Sequence, residues 1–129
     1  MPTAGLALPA SRQPGYTPLA LGPAERAAAR RAARATMRAY ARPQARPRAW
    51  WKQLRPHLSG AAQAAYAGTD PAVIPARAVT GPAALTSASL PALARVAVPT
   101  DAGIYLVLLG RSPGQPWAVE RIVAPEVAD

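Results

Sequence analysis

A shortage of large apolar side chains is the feature that most constrains how this chain can fold. Half of its 129 residues are hydrophobic, but the sequence has no Phe, 3 Trp and 4 Tyr, and much of the hydrophobic share is Ala. Because Ala buries little surface, the core of what is by length a single domain must depend on a few large residues. Two of the three tryptophans, Trp50 and Trp51, are adjacent in the segment RAWWKQLRPHL.

Proline positions divide the first half of the chain into predicted helices. Pro23 suits the first turn of a helix, where its missing N–H costs nothing, and Pro43 predicts that this helix ends near Arg42. The Ala- and Arg-rich segment between them has strong helix propensity. One face is shallow and rich in methyl groups, with Tyr40 as its large anchor. The opposite face carries arginines four residues apart, at Arg26, Arg30, Arg34 and Arg38.

A second, shorter helix is predicted to begin at Pro47 and to end or bend at Pro56. Trp51, Leu54 and Leu58 share one side of it by their i, i+3, i+7 spacing, so we expect Trp51 to lie in the core. Trp50 lies about 100° away around the helix. We therefore assign Trp50 to an interaction surface, where it is half-buried or contacts a partner.

The pattern changes from helical to extended after a third short helix, which Ser59 caps and Gly68 ends. The segments ARAVTG, ARVAVP, GIYLVLLG and WAVERIVAP are rich in β-branched residues and bounded by Gly, Pro or Asp, so they predict strands. The Pro-Gly turn in RSPGQP predicts an antiparallel hairpin from the last two, and the uneven spacing of Trp117, Val119 and Ile122 allows a bulge. Helices followed by strands predict an α+β fold with the helices on one face of an antiparallel sheet.

The predicted core joins the apolar sides of the helices to the strands. It consists of Tyr40, Trp51, Leu54, Leu58, Tyr66, Val96, Val98, Leu106, Trp117 and Val119.

Charge is divided unevenly between the two halves of the chain. Residues 24–57 contain ten Arg and Lys and one Glu, so they carry the whole net charge of +9, and the rest of the chain is balanced. The arginine face of the first helix therefore predicts weak, salt-sensitive binding to anionic lipid or nucleic acid. If the ligand is a nucleic acid, Trp50 would stack on a base.

The residues that carry chemistry are few. The sequence has no Cys and one histidine, His57, which excludes thiolate and His-rich metal sites, and we predict no metal and no cofactor. His57 with Asp70 or Asp101 is a candidate acid–base set, and Tyr40, Tyr66 and Tyr105 are candidates to line a pocket. Nothing in the spacing brings these groups together, and both aspartates suit turns, so we predict a non-catalytic protein.

Residues 1–22 form a separate predicted segment, an extended arm or linker, and residues 23–129 form the domain. The arm has four Pro and three Gly and no sustained periodicity. We expect it to tether the domain or to cross a neighbouring molecule, with Tyr16 and Leu19 in the contact. The sequence has no apolar run near the roughly 20 residues of a membrane span.

Several of these segments together resemble a known family. The marks are Trp51, Leu54 and Pro56 in the second helix, Tyr66 and Gly68 at the end of the third, an Asp-Pro turn, and Trp117 and Val119 in the last strand. In this order they resemble the extracytoplasmic NTF2-like domains of actinobacterial conjugation proteins, related to the VirB8 and TcpC components of type IV secretion channels.

The resemblance implies a cone of three helices packed into a bent antiparallel sheet. It also implies a non-catalytic module that binds copies of itself or other channel subunits, outside the cytoplasm, on a membrane-anchored protein. Two other functions stay open from the residues. One is a small-molecule-binding or enzymatic NTF2-like protein, and the other is a non-specific nucleic-acid-binding protein.

Overall fold

The computed structural model describes residues 22–90, 92–112 and 115–125. The arm predicted for residues 1–22, with Tyr16 and Leu19, lies outside the described residues except for Gly22. The described part contains three α-helices followed by a four-stranded antiparallel sheet. The α+β prediction is therefore confirmed.

The helices begin and end where proline and polar caps predict. Helix α1 spans Pro23–Tyr40, α2 spans Pro47–Leu54 and α3 spans Gly60–Tyr66, with 3₁₀ turns at Arg55–His57 and Pro71–Val73. The first two begin at a proline. The Ser59 side chain caps α3 by accepting from the Ala62 N–H at 3.2 Å. Past the end of α3, Gly68 has φ +85°, a conformation that costs glycine little.

The sheet is a meander in which each strand pairs with the next. Its strands are β1 at Ala84–Leu90, β2 at Leu93–Thr100, β3 at Gly103–Gly110 and β4 at Ala118–Val123, in the spatial order β1-β2-β3-β4. The predicted antiparallel pairing of the last two strands is confirmed. The register shifts by one residue between the pairs Leu108–Arg121 and Leu109–Val119. Glu120 is thus the extra residue of a bulge, so Val119 and Ile122 both point inward.

Two strand predictions differ from the structure. The segment ARAVTG forms an isolated antiparallel bridge between Val79 and Thr100 instead of a full strand. Strand β1, with the sequence ALTSASL, was not predicted, because Ala and Ser have little intrinsic preference for strands. Its conformation comes from pairing with β2, where Leu85 faces Val96.

The assignment of Trp50 to an interaction surface was wrong. Trp50 is buried, with 1% of its surface exposed, and Trp51 is only partly buried against the core. The Trp50 indole Nε1 donates to the Tyr40 carbonyl at 2.9 Å. That carbonyl lies at the end of α1, where a helix leaves carbonyls without intrahelical partners. The buried side of α2 therefore follows the i, i+4 spacing of Trp50 and Leu54, so Trp50 is a core residue and not an interaction residue.

The other residues of the predicted core lie in three environments. Six of them are buried, and these are Leu54, Leu58, Val96, Val98, Trp117 and Val119. Tyr40 and Tyr66 are partly buried and pack against that cluster. Leu106 was wrongly assigned to the core: it pairs with Ala97 and is only partly buried, whereas Tyr105 and Val107 beside it are buried. Since successive side chains of a strand face opposite sides, Leu106 belongs to the outer face.

Replacing each of the adjacent tryptophans tests this arrangement. Trp50→Ala is expected to lower the free energy of unfolding by about 3–5 kcal/mol, the usual cost of truncating a buried large aromatic. Trp51→Ala is the matched control and should cost clearly less, since less of its surface is buried. Urea denaturation of both variants measures the difference. Equal losses, or a larger loss for Trp51→Ala, would contradict the burial of Trp50.

Candidate functional site

The outer face of the sheet, opposite the helices, carries mostly apolar side chains across β2, β3 and β4, together with two arginines. In one row Arg95, Leu108 and Arg121 are neighbours across the three strands, and in the next row Ala97, Leu106 and Val123 are neighbours. Leu93 and Ile104 extend this face and are 49% and 58% exposed. Helices α1, α2 and α3 pack on the other face, so the outer sheet face has no cover among the described elements.

A groove runs over one end of this outer sheet face. A cleft of about 340 Å³ has Leu93, Arg95, Leu108 and Glu120 in its lining. A second cleft, of about 460 Å³, shares Leu93 and Glu120 with it and continues past Arg111. The groove thus has an apolar floor with charged groups of both signs along it, which suits an apolar segment with polar flanks.

The charged groups of the groove are held in place by contacts with other elements. The Ser59 hydroxyl donates to Glu120 Oε1 at 2.8 Å, which links the start of α3 to the bulge in β4. The Arg111 guanidinium lies 4.7 Å from the ring centre of Trp117, a cation–π distance. Trp117 Nε1 is buried without a hydrogen-bond partner among the described atoms. These contacts fix Glu120 and Arg111 at the rim.

The sequence contained a signal for this face that the strand assignment did not use. In GIYLVLLG the residues that face one side of the sheet and those that face the other are all apolar. A half-exposed strand instead alternates apolar with polar residues. An unbroken apolar run in a sheet with helices on one face indicates that the other face is also apolar. Ile104 and Leu108 follow from that pattern. Glu120 does not, because its position depends on the bulge.

The predicted arginine row of α1 is not uniformly exposed. Arg26 and Arg38 are exposed, but Arg30 and Arg34 are partly buried. These two line a cleft of about 460 Å³ between α1 and residues 81–83. The Arg34 Nε donates to the Gly81 carbonyl at 3.4 Å, a contact over 47 residues of chain. The prediction of four exposed arginines is therefore wrong for Arg30 and Arg34. Residues 81–83, which lead into β1, lie over the middle of α1 and partly cover these two side chains.

An aromatic cluster lies between the helices and the inner sheet face. The Tyr40 ring is 6.0 Å from the Trp50 ring and 6.2 Å from those of Tyr66 and Tyr105. The Tyr66 hydroxyl accepts from the Ile122 N–H at 2.9 Å and donates to the Ile122 carbonyl at 3.2 Å. The tyrosines proposed as pocket-lining residues are thus packed on one another.

The remaining acid–base candidates lie in separate places. His57 is partly buried in the turn after α2. Asp70 Oδ1 accepts from the Ala72 N–H at 3.0 Å, as a turn-forming aspartate does. Asp101 Oδ1 accepts from the N–H groups of Arg77 and Ala78 at 2.8 and 3.2 Å, and the hydrogen bond from Arg77 is the largest cause that lowers the Asp101 pKa. Each carboxylate is used by local backbone.

Neither a metal-binding cluster nor a membrane-spanning helix is found in the part of the chain that the structure describes. No group of three or more His, Cys, Asp or Glu side chains is placed there to hold a metal ion. No helix among the described residues is long and apolar enough to cross a membrane.

Comparison with known proteins gave no relative. A scan against models of protein families, a search of curated proteins and a search of solved structures each found no significant match.

The buried tyrosines predict a loss of stability at alkaline pH. Burial, reinforced by Tyr105 and Tyr66 nearby, raises the pKa of Tyr40 from 10.0 to about 12. The unfolded chain therefore releases this proton first, so the contribution of Tyr40 is complete below pH 10 and is lost as the pH rises through 12. Burial is also the largest cause that raises the pKa of Tyr105, although hydrogen bonding with the Ala76 backbone partly offsets it.

Tyr40→Phe is the matched variant, because it keeps the ring and removes the ionisable group. Urea unfolding at a series of pH values above 9 should show a shallower decline in stability for Tyr40→Phe than for the wild-type protein. The contribution of Tyr105 to this decline is present in both proteins. Identical slopes would show that the Tyr40 hydroxyl titrates normally.

Proposed function

We propose that this protein is a non-catalytic interaction module whose contact surface is the outer sheet face, and that the surface binds a second copy of the chain. The observation that carries the proposal is the exposure of Leu93 and Ile104 on a sheet face that is apolar over three strands. Large apolar side chains exposed on a sheet face without cover are typical of interaction sites.

The composition of the face fits a protein contact better than a ligand site. Interface cores are apolar and poor in Lys and acids, and Arg is the charged residue that they favour. Here Leu106 and Leu108 lie at the centre, and Arg95 and Arg121 flank Leu108 across the strands. Glu120 supplies a carboxylate near Arg95 in the same groove. Two copies opposed by a two-fold axis can therefore pair Glu120 of one with Arg95 of the other.

The larger assembly in which we place the module is a conjugative transfer or type IV secretion apparatus. The support is the resemblance of the sequence to NTF2-like domains of such proteins, carried by the Trp51-to-Pro56, Tyr66-to-Gly68 and Trp117-to-Val119 motifs. Three helices before an antiparallel sheet agree with the coarse plan of that family. The cone shape, the other channel subunits as partners and the site outside the cytoplasm are parts of this proposal.

The two other functions have less support. An enzymatic or small-molecule-binding cone needs open space above the inner sheet face, and the aromatic cluster around Tyr40 occupies that position. Stacking on bases needs an exposed Trp50 beside the arginines, but Trp50 is buried and bonded to the end of α1. Contact through the arm with Tyr16 and Leu19 stays a prediction, since those residues lie outside the described part.

The test is self-association of variants in the outer sheet face. The double variant Leu93→Lys/Ile104→Lys should weaken self-association at least about tenfold, since it places a charge at each end of the apolar contact. Both side chains are substantially exposed, so stability should change little. Sedimentation velocity and light scattering over a concentration series measure the effect.

Val73→Lys is the matched control. Val73 is an equally apolar side chain, 71% exposed, and it lies in a 3₁₀ turn instead of on a strand. It should leave self-association unchanged. A wild-type protein that stays monomeric at the highest concentrations, or an equal effect of both sets of substitutions, would refute the proposed contact.

A further inference from the structure

We propose that the cleft between α1 and residues 81–83 binds a phosphate group. This arginine cleft is lined by Ala27, Arg30, Arg31, Arg34, Gly81, Pro82 and Ala83, and its volume is about 460 Å³. That volume falls in the range of roughly 300–1,000 Å³ of small-ligand sites. It shares no residue with the outer sheet face, so it is a separate site from the proposed interaction surface.

Helix geometry makes the three arginines converge. Residues three and four apart are neighbours on a helix surface, so Ala27, Arg30, Arg31 and Arg34 form one compact patch. The small side chain of Ala27 leaves room beside Arg30 and Arg31. The opposite wall is the segment Gly81 to Ala83, which is held close to the sheet because Thr80 N donates to the Pro99 carbonyl at 2.9 Å. The three arginines thus line one side of a shallow, open cleft whose other side is the segment Gly81 to Ala83.

The Arg34 side chain is oriented in advance. Its Nε donates to the Gly81 carbonyl at 3.4 Å, which spans the cleft from α1 to the opposite wall. A guanidinium group held through Nε keeps its two terminal nitrogens for another acceptor. Since its rotamers are already restricted, less side-chain entropy is lost when an anion binds.

The charge of the arginine cleft is of a single sign. None of its described lining residues is acidic. Like charges three and four residues apart on a helix repel one another, so an anion in the cleft relieves a repulsion that the free protein retains. A concave surface with one sign of charge also focuses the electrostatic field and raises the local concentration of counter-ions.

The ligand that matches this arrangement is a phosphate with two negative charges. Guanidinium groups form paired, charge-assisted hydrogen bonds with phosphate oxygens, and several of them together favour a dianion over a single carboxylate. None of the described lining residues of the arginine cleft is aromatic, so the cleft offers no ring on which a base could stack. A free phosphate compound and the monoester headgroup of a lipid share the required chemistry.

The experiment measures binding of pyrophosphate by calorimetry at low salt in a phosphate-free buffer. Arg30→Gln/Arg34→Gln should weaken binding by about tenfold or more. Arg38→Gln/Arg48→Gln is the matched control, since it removes the same charge from two exposed helical arginines outside the cleft. It should change the affinity by no more than about threefold, the effect of the general field alone.

A third variant, Ala27→Glu, tests the site without altering any arginine. A glutamate there lies three and four residues before Arg30 and Arg31, a spacing that stabilises a helix. It should therefore keep the fold, as circular dichroism and thermal unfolding will show, and still abolish pyrophosphate binding by occupying the arginine cleft with a carboxylate.

Vesicles distinguish the two sources of phosphate. Binding to phosphatidic acid vesicles that pyrophosphate displaces and that Arg30→Gln/Arg34→Gln abolishes identifies a lipid headgroup. Equal binding to phosphatidic acid and phosphatidylglycerol vesicles, without displacement, leaves a free phosphate compound as the ligand. The proposal is overturned if the wild-type protein does not bind pyrophosphate, if both double variants lose binding equally, or if long polyanions such as oligonucleotides alone bind.

Discussion

The contact between the Trp50 indole and the Tyr40 carbonyl is the interaction on which the rest of the structure depends. It joins α2 to the end of α1 at 2.9 Å and places a fully buried tryptophan side chain beside the Tyr40 ring. The chain has no Phe to replace it. Around this point Tyr40 contacts three other aromatic rings, while α1 approaches the sheet through the buried methyl groups of Ala29 and Ala33. A few large side chains at one junction therefore serve as the core that the composition otherwise lacks.

The sheet is apolar on both faces, but the helices cover only one. On the inner face the bulge at Glu120 turns both Val119 and Ile122 inward, and the Tyr66 hydroxyl holds that irregular backbone by bonding to Ile122 in both directions. The same bulge sends the Glu120 carboxylate to Ser59 and to the groove on the outer side. One irregularity in β4 thus completes the core and supplies the only carboxylate among the described lining residues of that groove. The position of Glu120 on the surface that we propose for self-association therefore follows from the same bulge that directs Val119 and Ile122 into the core.

Charge and apolar surface occupy different parts of the molecule. The +9 of residues 24–57 lies on the helices, and the exposed apolar side chains Leu93 and Ile104 lie on the strands. A contact through the outer sheet face therefore does not have to neutralise the arginines of α1. The cleft that we propose for phosphate lies on the helical side, where residues 81–83 cover the middle of α1. Assembly and anion binding can thus proceed on one small domain without competing for the same residues.

The sequence by itself determined where the helices begin and that the last two strands pair as a hairpin, and it allowed a bulge there, because these features depend on local chemistry: proline at a first turn, the Ser59 cap, the Pro-Gly turn, and the spacing of Val119 and Ile122. It could not choose between Trp50 and Trp51, since the i, i+4 and i, i+3 spacings to Leu54 both describe an apolar helix side. Tertiary structure decided that choice through an acceptor ten residues away at the end of α1. It also decided the β1 strand, the outward position of Leu106 and the arginine cleft. The β1 strand and the arginine cleft rest on partners outside their own segments, such as Val96 for Leu85 and the Gly81 carbonyl for Arg34, and local patterns carry no information about such partners.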